Sequence, residues 1–429
     1  MSGSPCPRSE DLRSLTLRLA ARVDTYVERT EALDAPLPSF NEPFPDPVKD
    51  DAAQNAKIDI VRTCEKIMAH ALGPMEWGMY QNMAFVDVAC MGAMLELGIP
   101  EMVAPGLEPT ALDEIVGKTK ADKDVLKRIM RVCTQKLYFE EVAPEKFRHN
   151  GPSLTLLAPP INALVRHCCD DGLKSAAQFT DVLRETGFRG SDDPAKSAFS
   201  RAFGTEKGMF DYFYNDDLER GQRFGLAMAG SEVIKALTED VFPFHTLPPR
   251  TKIVDVGGGR GQVSIRIAEK MPDMTFVVQD NEDILKAGQD EGVPDDVKDR
   301  IEWMPHSFFQ EQPVKGADVY LFRFILHDHP DSNCVKIISR TVEAMDPERS
   351  RILIDDAVLP NLLGQDSLRI FNLLDIYMMM ILNAKERTEP QWRELFGKAS
   401  ERLVVEKIWR EPGTGLQGGT VLELRLRKE

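Results

Sequence analysis

Thr251-Lys252-Ile253-Val254-Asp255-Val256-Gly257-Gly258-Gly259-Arg260-Gly261-Gln262 is the stretch on which the reading of the chain turns. Lys252 to Val256 is a short β-branched run of the kind that forms a buried parallel strand. Four glycines follow within five positions, and Val263 to Lys270 then reads as a helix. Strand, glycine turn and helix bring bare backbone close to a nucleotide-like ligand. A dinucleotide fingerprint requires G-x-G-x-x-G, and counting from Gly257 or Gly259 the third glycine is missing. A P-loop requires Gly-Lys-Ser/Thr, which Arg260-Gly261-Gln262 is not. What stands here is D-V-G-G-G-x-G, a wall for a ligand without a pyrophosphate.

Outward from this loop the alternation is β-α-β. Strands are expected at Lys252–Val256, Thr275–Gln279, Arg300–Met304, Val319–Phe324 and Arg351–Ile354, with helices between them. Arg402–Trp409 and Thr420–Leu426 are separated only by a proline- and glycine-rich stretch from Glu411 to Gly419. No helix fits in that interval, so these two strands must pair antiparallel.

Composition narrows the function. The 429 residues suffice for two or three domains, and a net charge of -16 argues against a nucleic-acid partner, whose phosphates demand a basic face. The seven cysteines are odd in number, scattered and without a C-x-x-C pair, which suits reduced core thiols. Met1 to Glu10 has no apolar leader run and no later run is long enough to span a bilayer, so a cytoplasmic location is expected.

The N-terminal half is helical. Ser9 to about Arg29 reads as a helix, and Ala35 to Lys49 as a proline-rich arm. A helix starting at Asp51 is expected to stop at Gly73-Pro74, before a methionine- and aromatic-rich segment from Trp77 to Met83. Ala84 to Leu97 is nearly all apolar and is expected to be buried all round, in a core or at an oligomer interface. Thr110 to Val116 reads as a short helix with Thr110 as its N-cap, followed by a helix from Lys123 to Lys136. Tyr138 to Val142 and Lys146 to His149 then form a β wing. This is a winged-helix pattern without a basic surface, better suited to dimerisation than to DNA. Ile161 to about Phe244 is helical and carries Phe199, Phe203, Phe210, Tyr212, Phe213, Tyr214 and Phe224. These rings suit a packed joint between domains and an apolar lining for a flat ligand equally well. Four regions result: 1–50 as an N-terminal helix and arm, 51–160 as the winged-helix-like domain, 161–245 as a helical linker and pocket region, and 246–429 as the α/β domain.

Asp255-Val256-Gly257-Gly258-Gly259-Arg260-Gly261 resembles the S-adenosylmethionine loop of class I methyltransferases, and the terminal hairpin is similar to the one that marks their Rossmann-like sheet. Ile60-Val61-Arg62-Thr63-Cys64, Lys207 to Tyr212, Leu326-His327-Asp328 and Ala384-Lys385-Glu386-Arg387-Thr388 extend the likeness from about Asp51 to the C-terminus. The chain is identified as a member of the small-molecule O-methyltransferases of the plant caffeate and fungal sterigmatocystin type. The resemblance implies a homodimer formed through an N-terminal helical domain, S-adenosyl-L-methionine as cofactor, and a phenolic or polyketide acceptor from secondary metabolism. It implies a cofactor site of Asp255, Gly257, Gly259, Gly261, Asp280, Ser307, Phe308 and Arg323. Asp280 would accept the ribose hydroxyls, as a carboxylate does in dinucleotide folds, although an aspartate at a strand end also caps helices. Arg323 stands where the family has a lysine, and Ser307 where it has an acidic residue that reaches the adenine.

Methyl transfer from a sulfonium is an in-line displacement that needs an electron-rich oxygen. A phenol has a pKa of about 10, so a base that removes its proton accelerates the step. His327 lies just past the fourth strand, at the edge where doubly wound sheets bind substrates. The family supplies two carboxylates to orient it, which fall on Asp356 and Glu386, with Asp355 a rival to Asp356 by one position. His327-Asp328-His329 with Asp355 and Asp356 also has metal-ligand character, but Pro330 bends the chain away and no metal is expected. In the family the helix Leu368 to Asn383 faces the acceptor, and it carries Asn372, Asp375, Ile376 and Met379, with Phe203 and Phe210 as further lining. Core packing explains the same stripe. An alternative use of this scaffold is a pseudo-methyltransferase, a dehydratase or pericyclase in which the bound sulfonium serves only as a fixed charge.

Overall fold

The computed structural model describes residues 10–42, 48–106, 108–232, 236–360, 369–413 and 419–427. Cys6, part of the proline-rich arm, Leu368 and most of the Glu411–Gly419 connection lie outside the described residues. Two compact units divide the chain. One holds the N-terminal part up to Lys174 together with the segment that begins at Phe213; the other holds Ser175–Tyr212 and nearly everything after it resumes at 235.

In the first unit a helix at Leu12–Ala32 packs along a long helix at Asp51–Asn82. The helix that starts at Asp51 is interrupted at Gly73-Pro74, as expected, and Asp51–Asn82 is two helical segments that meet there. Gly73 takes φ 70 and ψ 168, which kinks the helix, and Pro74 then opens the next segment, where its missing N–H costs nothing. The helix Ala84–Glu96 is only partly covered: Met94 is fully buried, whereas Phe85 is 59% exposed. Met75, Met79, Tyr80 and Met83 are exposed as well. Thr110 does not cap a helix. It belongs to strand β1 (Thr110–Ala111), and its Oγ1 accepts from the Ala104 N–H at 2.8 Å. The helix Leu112–Thr119 follows with Ala111 at its N-cap, and Asp122 caps the helix Lys123–Gln135 through the Val125 N–H. Strands β2 (Glu140–Ala143) and β3 (Lys146–Arg148) complete a small antiparallel sheet in the order β1-β3-β2. Leu112, Ile115, Leu126, Met130, Phe139 and Phe147 form its core with Met94 and Ile99.

The second unit is built on a seven-stranded sheet. Its strands are β4 (Lys252–Val256), β5 (Thr275–Asp280), β6 (Ile301–Pro305), β7 (Val319–Arg323), β8 (Arg351–Asp355), β11 (Leu403–Arg410) and β12 (Thr420–Leu426). Two short strands, β9 (Val358–Leu359) and β10 (Arg387–Thr388), pair parallel in a separate ladder. The sheet order is β11-β12-β8-β7-β4-β5-β6, parallel except that β12 runs antiparallel to both β8 and β11. This is the α/β sheet with an antiparallel terminal hairpin that the sequence pattern implies. Helices on both faces account for strands that are apolar throughout: Ile253, Val254, Val319, Leu321, Ile352 and Leu353 are fully buried. Register aligns the carboxyl ends, with Val256 opposite Gln279, Asp255 opposite Leu321 and Arg323 opposite Asp355. The loops after β4, β5, β7 and β8 therefore leave the sheet along one edge. Strand β7 ends one residue earlier than expected because Phe324 adopts φ 52 and turns the chain.

Candidate active site

The glycine loop leaves β4 with Gly257, Gly259 and Gly261 at φ 72, 58 and 79. At Gly257 a Cβ would stand 2.5 Å from Ile325 Cδ1, the mobile end of a side chain, and at Gly261 2.6 Å from the Trp303 ring, so both positions favour glycine on conformation and Gly261 on space as well. A Cβ on Gly259 would meet nothing within 4 Å, which leaves that face of the loop open. Asp255 lies beneath the loop. It is 1% exposed, accepts from Ser264 Oγ at 2.7 Å, and burial pushes its carboxyl up to about 6 against that hydrogen bond. The structure thus places Asp255 as a support of the loop rather than on its open face.

Asp280 ends β5 and reaches back to the loop. Its Oδ2 accepts from the Gly259 N–H at 2.9 Å and its Oδ1 from the Asn281 N–H at 2.7 Å. Burial holds the carboxyl above its usual range against these two hydrogen bonds. The next helix, Glu282–Glu291, is capped by Asn281 and not by Asp280, so capping does not account for the aspartate. Each Asp280 oxygen keeps a lone pair for a further donor. Ser307 is exposed, and its hydroxyl makes one long contact, 3.4 Å, from the Phe309 N–H. Phe308 lies against the glycine loop, with its Cε1 3.6 Å from where a Gly257 Cβ would be. Arg323 is buried at the end of β7, 3.3 Å from Asp355 Oδ2 and over the Phe324 ring at 5.1 Å. A bare glycine face, a carboxylate beside it and an aromatic edge fit a nucleoside-linked sulfonium, which has no phosphate and calls for no cationic cradle. Where S-adenosylmethionine binds, Gly257, Gly259 and Gly261 would wall it and Asp280 would take its ribose hydroxyls.

Beyond β7 a short 3-10 turn, Leu326–Asp328, presents His327. Its Nδ1 lies 2.9 Å from Glu386 Oε1 and its Nε2 3.5 Å from Asp328 Oδ1. Burial by itself would lower the imidazole pKa; the charges of Asp328, Glu386 and Asp356 override it and push His327 up to about 9. Glu386 is 3% exposed and donates its N–H to Asp375 Oδ1 at 2.9 Å. Asp356, 1% exposed, has no hydrogen-bond partner on either oxygen among the described residues, and burial pushes its carboxyl up to about 7 although His327 pulls it down. Of the adjacent aspartates, Asp355 is engaged by Arg323 and Thr238, while Asp356 acts on His327 through charge alone.

Arg387 was not singled out by sequence reasoning. It is fully buried and donates to Leu326 O at 2.9 Å, His329 O at 3.0 Å and Asp331 Oδ1 at 2.8 Å. One guanidinium therefore ties the Glu386 segment to the His327 loop, and the Arg387–Val358 pairing of β10 with β9 ties it to the end of β8. The available signal was an arginine directly after the candidate glutamate, inside an otherwise buried run.

His329 does not join His327. Its ring packs 5.5 Å from both Phe308 and Phe309 and 6.5 Å from Phe210, and burial, with the charges of His327 and Arg387, pushes it down to about 4. Among the described residues no group of three His, Cys, Asp or Glu is placed to hold a metal. Asp375, Ile376 and Met379, on the helix Arg369–Leu382, line an open cleft of about 470 Å³ with Glu386, Asn383 and Pro330. Asn372, on the same helix, is not among its lining residues. Phe203 stacks on the fully buried Phe199 at 4.5 Å and packs on Tyr212 at 5.8 Å. Among the described residues no helix is long and apolar enough to cross a membrane.

Comparison with known proteins bears on the family and the fold. An O-methyltransferase domain matches residues 178–400, and an O-methyltransferase dimerisation domain matches residues 80–158. The chain is 59% identical to the O-methyltransferase xanE of Aspergillus fumigatus, covering 99% of each protein. It is 42% identical to the sterigmatocystin 8-O-methyltransferase of Aspergillus flavus, covering 86% of this chain and 87% of that protein. Among solved structures, OxaC in complex with S-adenosylhomocysteine and oxaline superposes with a TM-score of 0.79 at 25% identity, over 96% of this chain and all of OxaC. LepI in complex with S-adenosylmethionine shares the fold, with a TM-score of 0.78 at 24% identity over 96% of this chain and all of LepI. With the glycine loop, the α/β sheet and an N-terminal dimerisation domain in place, the chain belongs to the S-adenosylmethionine-dependent O-methyltransferases.

Proposed function

We propose that this methyltransferase acts on a phenolic hydroxyl of an aromatic polyketide in secondary metabolism, with His327 as general base, and that it works as a homodimer. The observation that carries the reading is the 2.9 Å contact between His327 Nδ1 and Glu386 Oε1. It commits Nδ1 to the carboxylate and leaves Nε2 as the nitrogen that takes a proton. The bound cofactor supplies an electrophilic methyl group. The acceptor O–H proton passes to Nε2, Glu386 and Asp356 stabilise the imidazolium, and Arg387 keeps Glu386 in place. The acceptor oxygen gains the methyl group as its proton is lost, and the imidazolium releases that proton to solvent. The acceptor class is supported by relatives named for the 8-O-methylation of sterigmatocystin. The dimer is supported by the matched dimerisation domain and by the exposed Met75, Met79, Met83 and Phe85.

The test is incubation with S-adenosylmethionine and a panel of aromatic hydroxyl compounds. S-adenosylhomocysteine should accumulate with a methyl ether, and His327→Ala should abolish both while S-adenosylhomocysteine still binds. Conversion of an acceptor without consumption of the methyl group would instead establish the fixed-charge alternative.

A further inference from the structure

A glycine outside the loop governs how the loop sits. Gly288 lies within the helix Glu282–Glu291 and is buried on the same face as Leu285. Glycine is the weakest helix former after proline, and the backbone here is helical, so conformation does not call for it. Space does. A Cβ at 288 would stand 2.5 Å from the Arg260 carbonyl oxygen, 2.8 Å from its Cα and 2.9 Å from its carbonyl carbon. All three are main-chain atoms, which no change of rotamer moves aside. The helix is the fixed side of this contact, because Leu285 is buried in the core with Val263, Ile267 and Val278, and Asn281 caps the first turn. Three residues on, Glu291 pairs with the Arg260 guanidinium. At the head of the same helix Asp280 accepts from the N–H of Gly259, the residue before Arg260. The glycine loop is thus seated on this helix through Asp280, Gly288 and Glu291.

We infer that Gly288 is a positioning residue for the cofactor. Its bare backbone lets the loop close onto the helix, and that seating brings the Gly259 N–H to Asp280 and fixes the carboxylate where it takes the ribose hydroxyls. The inference rests on Asp280 as the ribose carboxylate and is independent of the acceptor. A methyl group at 288 would press on the Arg260 carbonyl, and a close-packed contact has no slack to absorb it. With the helix anchored by Leu285, the displacement falls on the loop, whose Gly259 and Gly261 flank Arg260 at positive φ. The Gly259–Asp280 hydrogen bond is the first contact to be drawn out of line. Gly288 therefore acts on cofactor affinity through Asp280, without touching the cofactor itself.

The experiment is a double-mutant cycle of Gly288→Ala and Asp280→Ala in the full-length chain. Affinity for S-adenosylhomocysteine is read by titration calorimetry, with the melting temperature of the ligand-free protein alongside. Gly288→Ala should weaken binding roughly 10-fold in the native background and no more than about 2-fold once Asp280 is alanine, because changes that act on one contact are not additive. A glycine that served only to pack the fold would lower the melting temperature and give the same factor in both backgrounds. Glu291→Gln, at an exposed site, loosens the outer tie without endangering the fold and decides the matter if Gly288→Ala does not fold. It should weaken binding roughly 3-fold, and less when Asp280 is alanine. Factors that are equal with and without Asp280 would overturn the inference. So would unchanged affinity in Gly288→Ala with a raised melting temperature, the result expected of alanine in a helix with room to spare. If Asp280→Ala binds S-adenosylhomocysteine as the native protein does, the ribose assignment falls and the inference with it. Each of these failures leaves the acceptor and the role of His327 standing, since neither enters the cycle.

Discussion

Glu386→Gln is the substitution that tests the site most directly. It retains the side-chain volume and one oxygen near His327 Nδ1, but removes one of the three carboxylates that hold the imidazole proton. An opposite charge at this range is worth about 1–3 pKa units, so His327 should fall from about 9 back toward its ordinary 6.5. Two measurements follow. First, a base must be neutral to act, so the acid limb of kcat/KM should lie well above pH 6.5 in the native enzyme and move down in the variant. The loss of activity should reach ~100-fold above pH 9, where both enzymes are neutral at His327 and the variant has lost basicity and orientation. It should shrink toward pH 7, where the variant holds more neutral imidazole. Second, the folded-state pKa is above the unfolded one. The native protein thus binds an extra proton between about pH 6.5 and 9; the resulting stability is complete below 6.5 and is lost as pH rises through 9. The variant should be less stable than the native protein by on the order of 1–3 kcal/mol at pH 6, and this difference should narrow by pH 10. An acid limb that stays in place in Glu386→Gln, or a rate deficit that does not vary with pH, would refute the reasoning.

Asp356→Asn should raise the melting temperature at pH 8 and have little effect at pH 4. The native carboxyl titrates at about 7 instead of 3.8, so the folded state loses stability as pH rises between those values, on the order of 4 kcal/mol in all. Gly261→Ala forces a Cβ to within 2.6 Å of the Trp303 ring at φ 79, and should cost about 1–3 kcal/mol in chemical denaturation together with cofactor affinity. Asp280→Asn should weaken S-adenosylhomocysteine binding by roughly 10-fold or more in calorimetry, because a hydrogen bond to a charged group is worth about 1.5–3 kcal/mol. Met79→Glu with Phe85→Glu should shift the sedimentation coefficient toward that of a monomer while the far-ultraviolet spectrum is unchanged.

Much of the fold is written in short-range pattern. β-branched runs ending in glycine mark β4, and a strand pair with no room for a helix between them dictates the antiparallel hairpin of β11 and β12. The departures occur where a distant partner overrides the local rule. Thr110 looks like a cap until its strand pairs with β3 and its hydroxyl turns to Ala104.

The sequence by itself determined the order of strands and helices, the glycines of the loop and the proximity of His327 to a strand end, because each depends on residues adjacent in the chain. The tertiary structure decided which carboxylate meets that histidine. Glu386 reaches Nδ1 from fifty-nine positions away because Arg387 clamps its segment to the His327 loop. Asp355 and Asp356 point to different partners, since successive residues leaving a strand face opposite ways. Through-space neutralisation of one charge by another has no signature in local sequence.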